Sequence, residues 1–222
     1  MADFDGPWKE ALHVYFPAFL ALFFPIAHDA IDWSRGFESL DKELARLAPR
    51  AARGPLVVDK LMRVWRRDGA EAVVLVHVEI QSQRAPDFAR RMYAYNGRLF
   101  DHDNERVVSL AVLADDDPGW RPDHYGDALW GWSVRMEFPT VKLLDWTGRE
   151  TELEGSVNPF ARVVLAHLKA LETRRDAEGR RAWKFRLVRG LYERGFGRED
   201  VAELFRLIDW LMELPDRMED QF

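Results

Sequence analysis

Asp59 and Glu79 stand twenty residues apart in two runs that otherwise read as strands, PLVVDKLMRVW and EAVVLVHVEIQ. An acid in the middle of an apolar strand works against β propensity. Between the runs lies Arg67-Asp68-Gly69-Ala70, and Asp-Gly flanked by strand-like segments is a strong hairpin signal. A hairpin turning near Gly69 pairs residues whose numbers sum to about 137 or 138, which sets Glu79 against Asp59 or its immediate neighbour. Like charges directly opposite one another destabilise a sheet, and a bound cation would neutralise them. Two carboxylates with the main-chain carbonyl of Ile80 form a hard oxygen set, suited to Mg²⁺ or Mn²⁺ rather than zinc. Such an ion activates water and stabilises the charge of a phosphodiester under attack. Gln81, two residues beyond Glu79 and on the same strand face, could orient the nucleophile or a phosphate oxygen.

The elements that must hold these residues follow from periodicity. Ala72, Val74, Val76, Val78 and Ile80 alternate with Val73, Leu75, His77, Glu79 and Gln81, which reads as a strand over Glu71–Gln81 preceded by one over Pro55–Trp65. Pro86 is placed in the first turn of a following helix with a stripe of Phe88, Met92, Tyr95 and Leu99. The nearly continuous apolar run Val107–Ala114 reads as a strand buried on both faces. Because a helix separates it from the hairpin, it should lie parallel to the Glu71–Gln81 strand through a crossover. Upstream, helices are expected over Trp8–Phe24 and Phe37–Leu47, the second with a stripe of Phe37, Leu40, Leu44 and Leu47 flanked by Glu43. Downstream come a long loop rich in Asp, Pro and Trp, a strand over Phe138–Asp145, and helices over Phe160–Leu171, Ala182–Arg194 and Glu199–Leu214. Asn158-Pro159 supplies an N-cap and first-turn pair for the first of these. The fold class is therefore α/β, a mixed sheet flanked by helices over residues 1–150, with a helical layer over 151–222 packed on it.

VVDKL and EAVVLVHVEIQSQ together resemble the PD-(D/E)XK nuclease superfamily, with Gln81 in the place usually held by lysine. FLALFFP, IDWSRGFESLDKEL, RRMYAYNGRLFD, VVSLAVLAD, NPFARVVLAHLK and RLIDWLMELPD are similar to segments of the Rpn group of bacterial recombination-promoting nucleases and transposase-like proteins. The resemblance runs over nearly the whole chain. It implies an αβββαβ nuclease core, magnesium dependence and DNA phosphodiester cleavage with low sequence specificity, tied to recombination or transposition. Asp59 and Glu79 match its metal-binding acids, Glu43 its auxiliary acid on the preceding helix, and Gln81 the lysine position. A neutral amide supplies no positive charge there, so a nuclease-derived DNA-binding or protein-interaction module is the competing expectation. Proteins of this group are expected to extend past LPDRMEDQF, making a C-terminal portion missing or dispensable.

Composition narrows the field. With 47% hydrophobic and 13% aromatic residues over 222 positions, the chain can bury a sizeable core and is not a disordered solvating segment. No cysteine is present, which excludes disulfides and thiolate metal sites and fits a reducing cytoplasm. The apolar stretch Val14–Ala27 is too short for a bilayer and carries Pro17 and Pro25, so no membrane partner is expected. A net charge of −6 argues against broad basic surface, leaving DNA contacts to local groups: Gln83, Arg84, Arg90 and Arg91, with Arg98 nearby. Each of these also reads as part of a solvated strand exit or helix face, and His77 reads as a hydrogen-bonded structural residue. The run Arg174, Arg175, Arg180, Arg181 and Lys184 is diluted by Asp176 and Glu178 and suits helical ion pairs. A homodimer is compatible with the sequence. A small phosphate-ester hydrolase is less favoured, because neither a phosphate-cradling glycine loop nor a histidine cluster occurs.

Overall fold

The computed structural model of the chain describes residues 6–40, 42, 57–68, 73–81 and 83–215, and for Val57–Asp59 and Val73–Gln81 it describes the main chain. The protein is mixed α/β and divides into two compact units, Phe23–Lys142 and Met1–Leu22 with Leu143–Phe222.

The Phe23–Lys142 unit is built on a five-stranded sheet of order β1-β2-β3-β4-β7, with β1 Glu38–Ser39, β2 Val57–Trp65, β3 Val73–Gln81, β4 Arg106–Leu113 and β7 Thr140–Lys142. Strands β1, β2 and β3 are antiparallel neighbours, whereas β3, β4 and β7 run parallel. A helix of sixteen residues, Phe88–Asp103, connects β3 to β4 as the parallel pairing requires. Its stripe of Phe88, Met92, Tyr95 and Leu99 is 1%, 0%, 3% and 1% exposed, so the 3.6-residue period locates the buried face. β4 is buried from Ser109 to Leu113, as expected of a nearly continuous apolar run.

Several expectations are corrected here. Phe37–Leu47 is not one helix: Glu38–Ser39 pair with β2, and Leu40 donates its N–H to the Leu61 carbonyl at 2.8 Å. The free edge of β2 offers this segment hydrogen bonds that outweigh its helical period. The turn before it is made at Gly36, whose φ of 74° suits glycine. Lys42 is helical, and residues 43–50 lie outside the described residues. Trp8–Phe24 is divided into α1 Gly6–Val14 and α2 Phe16–Phe23, followed by α3 Pro25–Ala30. Pro17 has no N–H to give the preceding turn, and Pro25 stops α2 while opening α3.

Pro86 lies ahead of the helix, which becomes α4, Phe88–Asp103; the Phe88 N–H bonds the Ala85 carbonyl at 3.2 Å, so Pro86 occupies a turn instead. The expected loop after β4 contains an unforeseen hairpin, β5 His124–Leu129 and β6 Trp132–Glu137. The strand expected over Phe138–Asp145 is shorter: Pro139 cannot donate to a ladder, β7 begins at Thr140, and Leu143–Trp146 is a 3-10 turn.

The other unit is helical, comprising α1 and most of α2, then α5 Glu150–Gly155, α6 Pro159–Glu172, α7 Ala177–Glu193 and α8 Arg198–Leu211. The Asn158 side chain accepts the Phe160 N–H at 2.9 Å as the N-cap of α6 and donates to the Ala18 carbonyl at 2.8 Å. Phe160 is fully buried and meets Phe19 edge-on at 5.2 Å between ring centroids. α7 starts earlier than expected because Asp176 caps it by accepting the Gly179 N–H at 2.9 Å. Among the described residues, no helix is long and apolar enough to cross a membrane.

Candidate nuclease site

Of the two registers that the hairpin count left open, the strands adopt the one whose paired numbers sum to 138. Asp59 pairs with Glu79, Val57 with Gln81 and Val58 with Ile80, a constant sum that places the two acids directly opposite each other. The parallel pairing of β3 with β4 and of β4 with β7 extends that row to Asp59, Glu79, Ala111 and Thr140. The next row toward the β3 exit contains Val57, Gln81, Leu113 and Lys142. Leu61 packs with Tyr95 and Leu99, whereas Ala111 and Leu113 pack with Phe88 and Met92. The acid row thus lies between the rows of Leu61 and Leu113, both of which pack beneath α4. Asn96 of α4 pins that helix to β4, donating to the Val107 carbonyl at 3.0 Å and to the Ser109 hydroxyl at 3.1 Å.

The remaining expected residues are distributed around this row. Glu43 lies outside the described residues. Gln83 and Arg84 follow the β3 exit and are exposed, and the Arg84 guanidinium is 3.5 Å from Asp117. Arg90 and Arg98 are on exposed positions of α4. Arg91 differs: its side chain is 14% exposed, lies 3.6 Å from Asp87 and sits over the Phe88 ring. Its cation therefore reinforces the first turn of α4 by an i,i+4 pair. His77 is paired with Leu61 and Ser109. The structure brings Asp59, Glu79 and Gln81 into adjacent rows, keeps Gln83, Arg84 and Arg90 at the surface, and packs Arg91 against its own helix.

Sequence reading missed a buried ion pair at the end of the Gln81 row. Lys142 Nζ donates to both Asp115 carboxylate oxygens at 2.8 Å and to the Trp120 carbonyl at 3.1 Å. The two side chains are 1% and 2% exposed. Three acceptors use all three ammonium protons, so this lysine is satisfied without water. The signal was present as a lone lysine in the apolar run FPTVKLLD, but its partner is 27 residues away. Lys60, beside Asp59, is also buried at 4% exposure, and it pairs in the row of Val78 and Leu110. Among the described residues, no group of three or more His, Asp or Glu side chains is arranged to hold an ion.

The chain matches no protein-family model, no curated protein and no solved structure.

Proposed function

We propose that the chain is a metal-dependent DNA endonuclease of the PD-(D/E)XK type, related to the Rpn group and cleaving phosphodiester bonds with low sequence specificity. The observation that carries this reading is the direct cross-strand pairing of Asp59 with Glu79 on antiparallel strands, with β4 parallel to β3 through α4. A facing pair of acids costs stability unless a cation neutralises it, and the donor chemistry fits Mg²⁺ or Mn²⁺. Asp59, Glu79 and the Ile80 carbonyl would hold the ion, with Glu43 as auxiliary acid. Once bound, the metal supplies an activated water and neutralises developing phosphate charge. Gln81 positions the attacking water or a phosphate oxygen by hydrogen bonding. Gln83, Arg84 and Arg90 contact the DNA backbone from the β3 exit and the exposed side of α4.

One observation favours a second reading, a nuclease-derived DNA-binding or protein-interaction module without turnover. The lysine in the Gln81 row, Lys142, is committed to Asp115 and the Trp120 carbonyl, so it does not supply the charge that Gln81 lacks. Plasmid nicking in Mg²⁺, Mn²⁺ and chelator, with Glu79→Ala alongside, separates the two. Metal-dependent nicking that disappears in Glu79→Ala is expected of the enzyme. DNA retention in a mobility-shift assay with no nicking under any metal condition would transfer the assignment to the binding module.

A further inference from the structure

We propose that the β5–β6 hairpin is a surface through which two copies of this chain associate about a two-fold axis. Its strands pair Tyr125 with Met136, Asp127 with Val134 and Leu129 with Trp132, so these six positions share one ribbon face. The lower end of that face is used inside the protomer. Tyr125 stacks on Tyr93 of α4 at 4.7 Å between ring centroids, and Met136 packs against the Phe88 cluster. The same face then continues beyond this support: Leu129 is 58% exposed and Trp132 56%. The opposite face carries His124, Gly126, Ala128, Ser133, Arg135 and Glu137. The face is therefore apolar but for Asp127, covered at the Tyr125–Met136 end and open at the Leu129–Trp132 end.

The turn adds a second, independent observation. Trp130 and Gly131 have φ of 51° and 87°, the pattern of a two-residue primed hairpin turn. Asn or Asp ordinarily occupies the first of these positions, where a bulky side chain is disfavoured. Trp130 is nevertheless there and is 96% exposed, gaining almost no burial within its own chain.

Area and charge point to a second copy. At these exposures the two tryptophans with Leu129 and Val134 present about 500 Å² of apolar surface, taking roughly 150–250 Å² for a fully buried aromatic. That is at the upper end of what monomers leave open, and two such patches reach the ~1,000 Å² of a specific interface. No charged residue occurs from Ala128 to Val134, and the one acid of this face, Asp127, lies inward of that tip and accepts the Ala128 N–H at 2.9 Å. The nearest cation, Arg135, is paired with Glu137 at 2.9 Å, leaving no basic flank for a polyanion or an anionic lipid surface.

Sedimentation velocity on the full chain from about 1 to about 100 µM tests this by mass action. Wild type is expected to pass from monomer to dimer, accompanied by a blue shift of tryptophan emission. Trp130→Ser with Trp132→Ser should remain monomeric at unchanged circular dichroism and Tm, and Trp130→Lys should weaken association at least about tenfold. Phe185→Ser, at an exposed aromatic on α7, should behave as wild type. A wild type that stays monomeric throughout, or a double tryptophan variant that still dimerises, overturns the proposal.

Discussion

Two carboxylates directly opposite each other are the residues on which the functional reading turns, and their energetics make it testable. Without metal, Asp59→Asn should stabilise the protein by a few tenths of a kcal/mol up to about 1, because it relieves a like-charge cross-strand pair. With Mg²⁺ or Mn²⁺, wild type should gain Tm by linkage and Asp59→Asn should gain less. Equal metal-induced shifts would locate the ion elsewhere. In the proposed nuclease, Gln81 acts at a different step. Gln81→Ala should slow single-turnover cleavage by on the order of a hundredfold, the loss expected on removing one positioned donor, with little change in metal affinity. Gln81→Lys should retain or raise activity while weakening metal binding through repulsion. Equal rates for wild type and both variants would reduce Gln81 to a surface residue.

At the scale of the elements, β7 ends on a buried ion pair. Its last residue, Lys142, is buried against Asp115 just past the end of β4. Lys142→Met would leave a buried carboxylate without its cation, at a cost of about 3–5 kcal/mol, readable as a lower urea midpoint at unchanged slope. A loss below about 1 kcal/mol would mean that water reaches Asp115 and the pair is not buried in solution. β1 and the β5–β6 hairpin show how elements elude a local reading. Phe37, Leu40, Leu44 and Leu47 fit a helical stripe, but the unpaired edge of β2 draws Glu38–Ser39 into the sheet. The second hairpin turns on Trp130-Gly131 rather than Asn-Gly or Asp-Gly, so the usual punctuation was missing. The β2–β3 register was legible to within one residue, because one hairpin connection sets the sum of every paired number, and the structure chose the sum of 138 that sets Asp59 against Glu79.

At the scale of the whole molecule, the helical unit joins parts of the chain 185 residues apart through the Tyr15 hydroxyl, which donates to Asp200 at 2.8 Å. Burial, then the bond to Asp200, raises the Tyr15 pKa above its usual 10.0. The folded state therefore holds this proton more tightly than the unfolded chain. Its contribution is complete below pH 10 and is lost as pH rises from there through the folded value. Tyr15→Phe should cost about 1 kcal/mol at neutral pH through the lost hydrogen bond, and its Tm should fall less steeply than wild type above pH 10. Parallel declines would show that the phenol titrates normally. Neither this bond nor the docking of Asn158 onto the Ala18 carbonyl was readable in advance, since both join segments with no periodic relation. The sequence by itself determined the mixed α/β class, the β2–β3 pairing to within one residue of register, the parallel β4 and the buried stripe of α4. Those follow from local periodicity, the Asp68-Gly69 hairpin signal and the length of one connection. Only the tertiary structure decided the edge strand β1, the pairing of Lys142 with Asp115, the packing of Arg91 on its own helix and the uncovered tip of the second hairpin. Each of these depends on which distant groups compete for the same hydrogen bonds, charge or apolar cover, and that competition exists only once the chain has folded.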